Sequence, residues 1–167
     1  MRIQEPKPPA KLKPFKIPAE MVVIQDTREQ RPLFTRPPKG LTVQTATLTD
    51  GDYSIRGFES EFAVERKQMS DFYAYIGKQR EVTVEKIKRL GDMVAAGGWA
   101  ALVIEADERD ILTGYQMSMV PPEVARQFLV SLEVRYGVHV YMNRSRKACA
   151  RWILDRMIKF WRVRREV

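Results

Sequence analysis

The chain has 167 residues, 44% of them hydrophobic and 30% charged, enough to bury one core and short for two domains of ordinary size. A single cysteine (Cys149) and a single histidine (His139) exclude an intramolecular disulfide, a cysteine-rich zinc site and the usual multi-histidine zinc hydrolases, and no apolar run approaches the ~20 residues of a membrane span. The net charge of +8 divides unevenly, at +3 over residues 1–20, −2 over 21–142 and +7 over 143–167, which suggests a polyanion-binding face near the C-terminus; a solvated charged helix has the same composition.

Residues 1–20 hold five prolines and five Lys/Arg, the composition of a flexible basic arm. Proline stands where a signal peptide would be apolar, so an intracellular protein is expected, cytoplasmic if microbial or phage-encoded. A single domain is expected from Met21 to Val167. MVVIQ reads as a short buried strand, TVQTATL (42–48) as a second and DYSI (52–55) as a third, after the Asp50-Gly51 turn. EFAVERK (61–67) is a fourth, with Phe62, Val64 and Arg66 on one face and Ala63, Glu65 and Lys67 on the other. Ser70 is placed to cap a short helix ending near Gly77. Glu81 to Ala96 is expected to be helical, with Val84, Ile87, Leu90 and Val94 as its apolar stripe.

WAALVIE (99–105) is a continuous apolar run, as in a central strand covered on both faces. The acids that follow, Asp107, Glu108 and Asp110, read as a solvated loop. Pro121-Pro122 opens a helix through Val124, Phe128, Leu129 and Leu132 that should stop at Gly137. VHVYM (138–142) is the last strand, and places His139 in a structural setting. Ser145 caps a final helix containing Ala148, Trp152, Ile153 and Phe160. Strands gather first and then alternate with helices, which predicts an α/β fold with a mixed central sheet flanked by helices.

Glu65 and Lys67 lie two apart on a strand, so their side chains point the same way, roughly 7 Å apart along the chain. Asp52 follows a glycine at the start of the preceding strand, and a short hairpin between the two strands would bring it beside Glu65. Two carboxylates and a lysine on one surface suit phosphodiester hydrolysis: the carboxylates hold a hard Mg2+ or Mn2+ through oxygen, and the lysine orients a water or neutralises charge on the phosphate. Acid-x-Lys triplets are common on surfaces, so the triplet alone says little. Asp26, with Arg28 and Glu29 close behind, adds acids at the end of the first strand, where Arg28 has the simpler role of an ion-pair partner.

GDYSI followed by FAVERKQMSDF resembles the GD…ERKxxxD signature of the XPF-type structure-selective endonuclease family. Gly51-Asp52 matches GD, Glu65-Arg66-Lys67 matches ERK, and Asp71 the closing acid. Asp26-Thr27-Arg28-Glu29 is similar to the family's upstream D-x-R-E segment. Arg80, LVIE ending at Glu105, and VPPEVARQFLVSLEVRYGVHVYM extend the likeness to about residues 21–160. The resemblance implies a restriction-endonuclease-like (PD-(D/E)xK) fold and a metal-dependent endonuclease acting on flaps, forks or four-way junctions. It implies Asp52, Glu65, Asp26 and the backbone carbonyl of Arg66 around the metal, and Lys67 as the water-activating or charge-stabilising group. Arg28, Glu29 and Asp71 would then surround the site, Asp71 also favouring its helix dipole.

Members of that family usually carry a helix-hairpin-helix module after this domain, and none is expected within residues 21–167. DNA affinity is therefore expected from another chain or from the basic ends, with Arg144, Arg146, Lys147 and Arg151 as candidates. The family's pairing through C-terminal helices implies a homodimer. Tyr73 and Tyr75 are placed either to stack on an unpaired base or to pack in the core. Two other functions fit the same residues: a non-catalytic DNA-binding or scaffolding partner of a nuclease, and a restriction- or repair-type nuclease on this fold.

Overall fold

A computed structural model of the chain describes residues 15–165; residues 1–14, most of the expected arm, lie outside them. Four strands come first, β1 (Val22–Asp26), β2 (Thr42–Ala46), β3 (Tyr53–Ile55) and β4 (Phe62–Lys67). Helices α1 (Met69–Ile76) and α2 (Arg80–Ala95), strand β5 (Trp99–Ile104), helices α3 (Glu108–Thr113) and α4 (Pro122–Tyr136), strand β6 (His139–Met142) and helix α5 (Arg146–Arg165) follow. The strands form one six-stranded sheet in the order β2-β1-β3-β4-β5-β6. β3 is antiparallel to both of its neighbours and the other pairs are parallel. This is the mixed sheet that the strand pattern predicts.

Alternation along the central strands divides the core between two helical layers. Phe62 and Val64 of β4, with Ala101 and Val103 of β5, pack with Cys149, Ile153 and Met157 of α5. Ala63, Ala100, Leu102 and Ile104 face the other way, into α1, α2 and α4. β5 is thus covered on both faces, which is why its sequence is an unbroken apolar run. Each large side chain buried this way contributes about 1.5–3 kcal/mol, so β4 and β5 form the rigid centre on which the acidic residues stand.

Local chemistry explains the helix ends. Ser145 Oγ accepts the Ala148 N–H at 3.2 Å, the expected cap of α5. Gly137 ends α4 in the left-handed conformation at φ 66°, with the Val138 N–H returning to the Leu132 carbonyl at 2.9 Å. Ser70 does not cap α1: the helix begins two residues earlier than such a cap requires, at Met69 after extended Gln68. The stripe of α2 is rotated from the expected one. Thr83, Ile87, Leu90 and Met93 face the core while Val84 is 37% exposed, because α2 packs on α4 as well as on the sheet. β2 is an edge strand with only Val43 packed inward. At the described end of the arm, Ile17 packs against the α5-side core and the Lys16 carbonyl accepts from Arg162.

The acids expected to be a solvated loop form α3. Asp107 precedes the helix in an extended conformation, and Asp107 and Asp110 bond reciprocally across its first turn, a capping box with acids at both positions. His139 is structural, stacked on Trp99 with ring centroids 5.1 Å apart. Tyr73 and Tyr75 are 1% and 2% exposed, so both pack in the core and neither ring is open to an unpaired base.

Candidate active site

The Asp50-Gly51 turn sets the site. Gly51 has φ 79°, and a Cβ there would stand 3.0 Å from the Val64 carbonyl oxygen, so the turn requires a residue without one. Just beyond it, the Asp52 N–H donates to the Val64 carbonyl at 2.7 Å and the Asp26 N–H to the Asp52 carbonyl at 2.8 Å. Asp52 therefore lies between the ends of β1 and β4. One of its carboxylate oxygens, Oδ2, accepts the Arg66 N–H at 2.7 Å. The Val64 carbonyl and the Arg66 N–H both point toward Asp52, and strand geometry carries the Arg66 carbonyl along that same edge, past the end of the β3 pairing.

Glu65 and Lys67 share the other face of β4, as alternation predicts, with Lys67 Nζ 2.6 Å from Glu65 Oε1. Burial first, and then the negative charge of Glu65, push the Asp52 carboxyl up to about 7. Burial acts to lower Lys67, but the charges of Glu65 and Asp52 outweigh it and hold the ammonium above its usual range. The ammonium also lies over the Tyr75 ring, 4.9 Å from its centroid. The Tyr75 hydroxyl is the one buried side-chain polar atom among the described residues without a hydrogen-bond partner. Its proton is held well above the tyrosine range by burial and by the charges of Glu65 and Asp52.

Asp26 is close by but fully engaged. Its carboxylate accepts the Arg28 N–H at 2.8 Å, Arg28 Nε at 2.7 Å, Arg28 Nη2 at 3.0 Å and the Leu48 N–H at 2.7 Å. Burial alone would raise this carboxyl; those bonds overcome it and hold it down at about 2. All four of its acceptor positions are filled, so ligation of a cation by Asp26 requires Arg28 to leave.

Arg66 points away from Glu65 into a chain of buried charges. Glu29 binds it through both carboxylate oxygens at 2.7 Å, and Glu105 accepts from it at 3.0 Å. Arg146 of α5 reaches the same Glu105 oxygen at 2.6 Å and also donates to the carbonyls of Arg31 and Pro32. Arg146 therefore ties α5 to the β1 loop, and Arg144 pairs with Asp110 of α3 and with Asp107, the residue before it. Two of the four expected DNA contacts, Arg144 and Arg146, thus have intramolecular partners, whereas Lys147 and Arg151 are exposed on α5. Asp71 is exposed in the first turn of α1, close enough for its charge to act on Lys67.

Two cationic residues of α2 were not singled out from the sequence. Lys86 Nζ lies 3.5 Å from Glu65 Oε1, and Arg89 pairs with Asp50 at 2.7 Å. Their i, i+3 spacing places them on one helix face, but nothing local says which loop that face meets.

The donor set fits a hard divalent cation. Among the described residues no group of three or more His, Cys, Asp or Glu side chains converges. Asp52 and Glu65 stand together with a backbone carbonyl beside them, and Mg2+ is commonly held by one or two carboxylates completed by waters and substrate phosphates. The Asp52 carboxyl, raised first by burial and then by Glu65, is one whose charged form a cation would favour.

The ERCC4-domain family model matches residues 25–155, and the chain belongs to that family. This bears out the resemblance to XPF-type nuclease domains. Two solved structures of XPF from Aeropyrum pernix match the fold. One is 21% identical, with a TM-score of 0.62 over 81% of this chain and 59% of that one. The other, a complex with DNA, is 19% identical, with a TM-score of 0.60 over 83% of this chain and 64% of that one. The chain thus spans about three-fifths of the length of the structures it matches. No curated protein sequence matches it.

Proposed function

We propose that the chain is a divalent-cation-dependent endonuclease that nicks branched DNA at flaps, forks or four-way junctions. The observation that carries this reading is the meeting of Asp52, Glu65 and Lys67 at the end of β4, with the Lys67 ammonium 2.6 Å from Glu65. Membership of the ERCC4-domain family supports the reaction class, and the DNA complex of a similar fold supports nucleic acid as substrate.

Asp52, Glu65 and the Arg66 carbonyl are the groups that would hold Mg2+ or Mn2+, with Asp26 joining them only if Arg28 is displaced. When bound, the cation polarises a phosphoryl oxygen and lowers the pKa of a water. Lys67, braced by the Tyr75 ring, presents a fixed ammonium to the negative charge that grows on the phosphate as its P–O bond breaks. Glu29, Arg66 and Glu105 hold β4 from the opposite face, so that the groups on the reacting face keep their geometry. Lys147 and Arg151 supply sequence-independent phosphate contacts.

The chain works as one nuclease domain in an intracellular, DNA-processing role, and pairs with a second copy. Support for pairing lies on the open edge of the sheet, where β6 is the last strand. There the Tyr141 and Trp152 rings stack 4.7 Å apart, continuous with the half-buried Trp99.

Nicking assays on linear duplex, flap, fork and four-way junction DNA, with Mg2+ or Mn2+ and with chelator, test the reading. Cation-dependent cutting of the branched substrates is expected. Preferential cutting of linear duplex would favour a restriction- or repair-type nuclease. Binding without any cutting would favour a scaffolding partner.

A further inference from the structure

Four cationic side chains stand around Asp52, Glu65 and the turn before Asp52, and their ties differ. Arg28 donates twice to the Asp26 carboxylate and again to the Leu48 carbonyl at 2.7 Å. Arg89 is closed on Asp50 at 2.7 Å. Lys67 lies 2.6 Å from Glu65, 17% exposed, over the Tyr75 ring. Lys86 shares the same Glu65 oxygen at 3.5 Å and is 40% exposed, a distance and exposure that make a weak tie.

We propose that Lys86 is a phosphate-binding residue for the DNA, resting on Glu65 while the site holds no cation and turning to the DNA backbone once a divalent cation takes Glu65. This rests on the nuclease reading and assigns the site a substrate contact supplied by α2. Two lysines and a divalent cation cannot all stay on one carboxylate oxygen, because the cation repels both ammonium groups. Lys67 is held by its ring and its burial. Lys86 is free to leave, on a flexible four-carbon stem and with its side chain part-exposed. The helix beneath it does not need to move: one turn on, Arg89 fastens α2 to Asp50, two residues before Asp52. The Lys86 ammonium therefore swings from a fixed base at the rim of the site, where a phosphate must come.

The test is the salt dependence of binding to a fluorescent flap DNA, read by anisotropy on the wild-type chain and on Lys86→Met. It is run in EDTA and again in Ca2+, which shares the preference for oxygen ligands. One phosphate contact contributes about 0.7–0.9 to the slope of log K against log salt concentration. In Ca2+ the Lys86→Met slope should be shallower than wild type by about that one contact, and Lys86→Arg should restore it. In EDTA the two slopes should agree. Lys88→Met, two residues along and paired with Glu85 at the surface, should match wild type in both.

Equal slopes in Ca2+ overturn the proposal, and an equal deficit in EDTA overturns the resting state on Glu65. Nicking of the same DNA by the wild-type chain in Mg2+ separates this from the nuclease reading. Nicking with equal slopes defeats the Lys86 contact alone, a slope difference without nicking defeats the nuclease reading alone, and no DNA binding defeats both.

Discussion

The raised carboxyl of Asp52 predicts a pH dependence of stability. Its carboxyl is raised from the ordinary aspartate value to about 7 by burial and by Glu65, so between about pH 4 and 7 the cation-free folded chain binds a proton that the unfolded chain has lost. Stability therefore falls as pH rises through that window and levels off above it. Asp52→Asn should flatten this part of the profile and raise the melting temperature of the cation-free protein at neutral pH, measured by thermal unfolding in EDTA. A profile identical to wild type would show that the Asp52 carboxyl is not raised. Tyr75 gives a second prediction at this scale. Tyr75→Phe keeps the ring under Lys67 and removes an unpartnered hydroxyl, so cutting should persist. Tyr75→Leu removes the ring and should slow single-turnover cutting by ~10-fold or more, in line with the loss of part of a charge-stabilising contact. The Asp52–Glu65–Lys67 group was legible in the sequence because two of its members share one strand and the third sits at a Gly turn. Lys86 and Arg89 were not, since a helix face meets its target only through tertiary packing.

The elements hold the site by two devices that are open to mutation. Gly51 occupies a left-handed position against the Val64 carbonyl. Gly51→Ala should lower stability by about 1–2 kcal/mol from backbone strain alone and shift Asp52 with it, so that melting temperature and cutting fall together. The second device is the charge chain Glu29–Arg66–Glu105–Arg146. The Arg66, Glu29 and Glu105 side chains are 6%, 3% and 7% exposed, and removing one partner from such a buried set costs about 3–5 kcal/mol. Arg66→Met should therefore destabilise the fold by roughly that amount in denaturant unfolding, with an intact Asp52–Glu65 face in whatever fraction stays folded. Alternation along β4 told from the sequence that Arg66 faces away from Glu65. Its partners came from residues 29 and 105, and only the sheet order brings them together. α3 is hidden from the sequence for a local reason: acids at both capping positions have the composition of a solvated loop, and the helix is under two turns long.

At the scale of the whole molecule, the sheet order is what turns separated motifs into one site. β3 is inserted antiparallel between β1 and β4, which sets the D-x-R-E segment and the ERK strand on either side of Asp52. The strand pattern predicted a mixed sheet, but no spacing in it fixes that insertion. The same order leaves β6 and its aromatic neighbours on an open edge; under the proposed pairing the wild-type chain is a dimer in sedimentation and Trp152→Glu shifts it to monomer. A dimer unchanged by it would place the interface elsewhere. The central claim, that Asp52, Glu65 and Lys67 form a phosphodiester-cleaving centre, is tested most directly by single-turnover nicking of one flap substrate in Mg2+. The wild-type chain is compared with Asp52→Asn, Glu65→Gln and Lys67→Ala, each checked for native circular dichroism. Wild type should cut, and each folded variant should lose at least ~100-fold, the scale of removing a preorganised charge-stabilising group. Cutting at the wild-type rate by the folded Asp52→Asn and Lys67→Ala variants would contradict the claim.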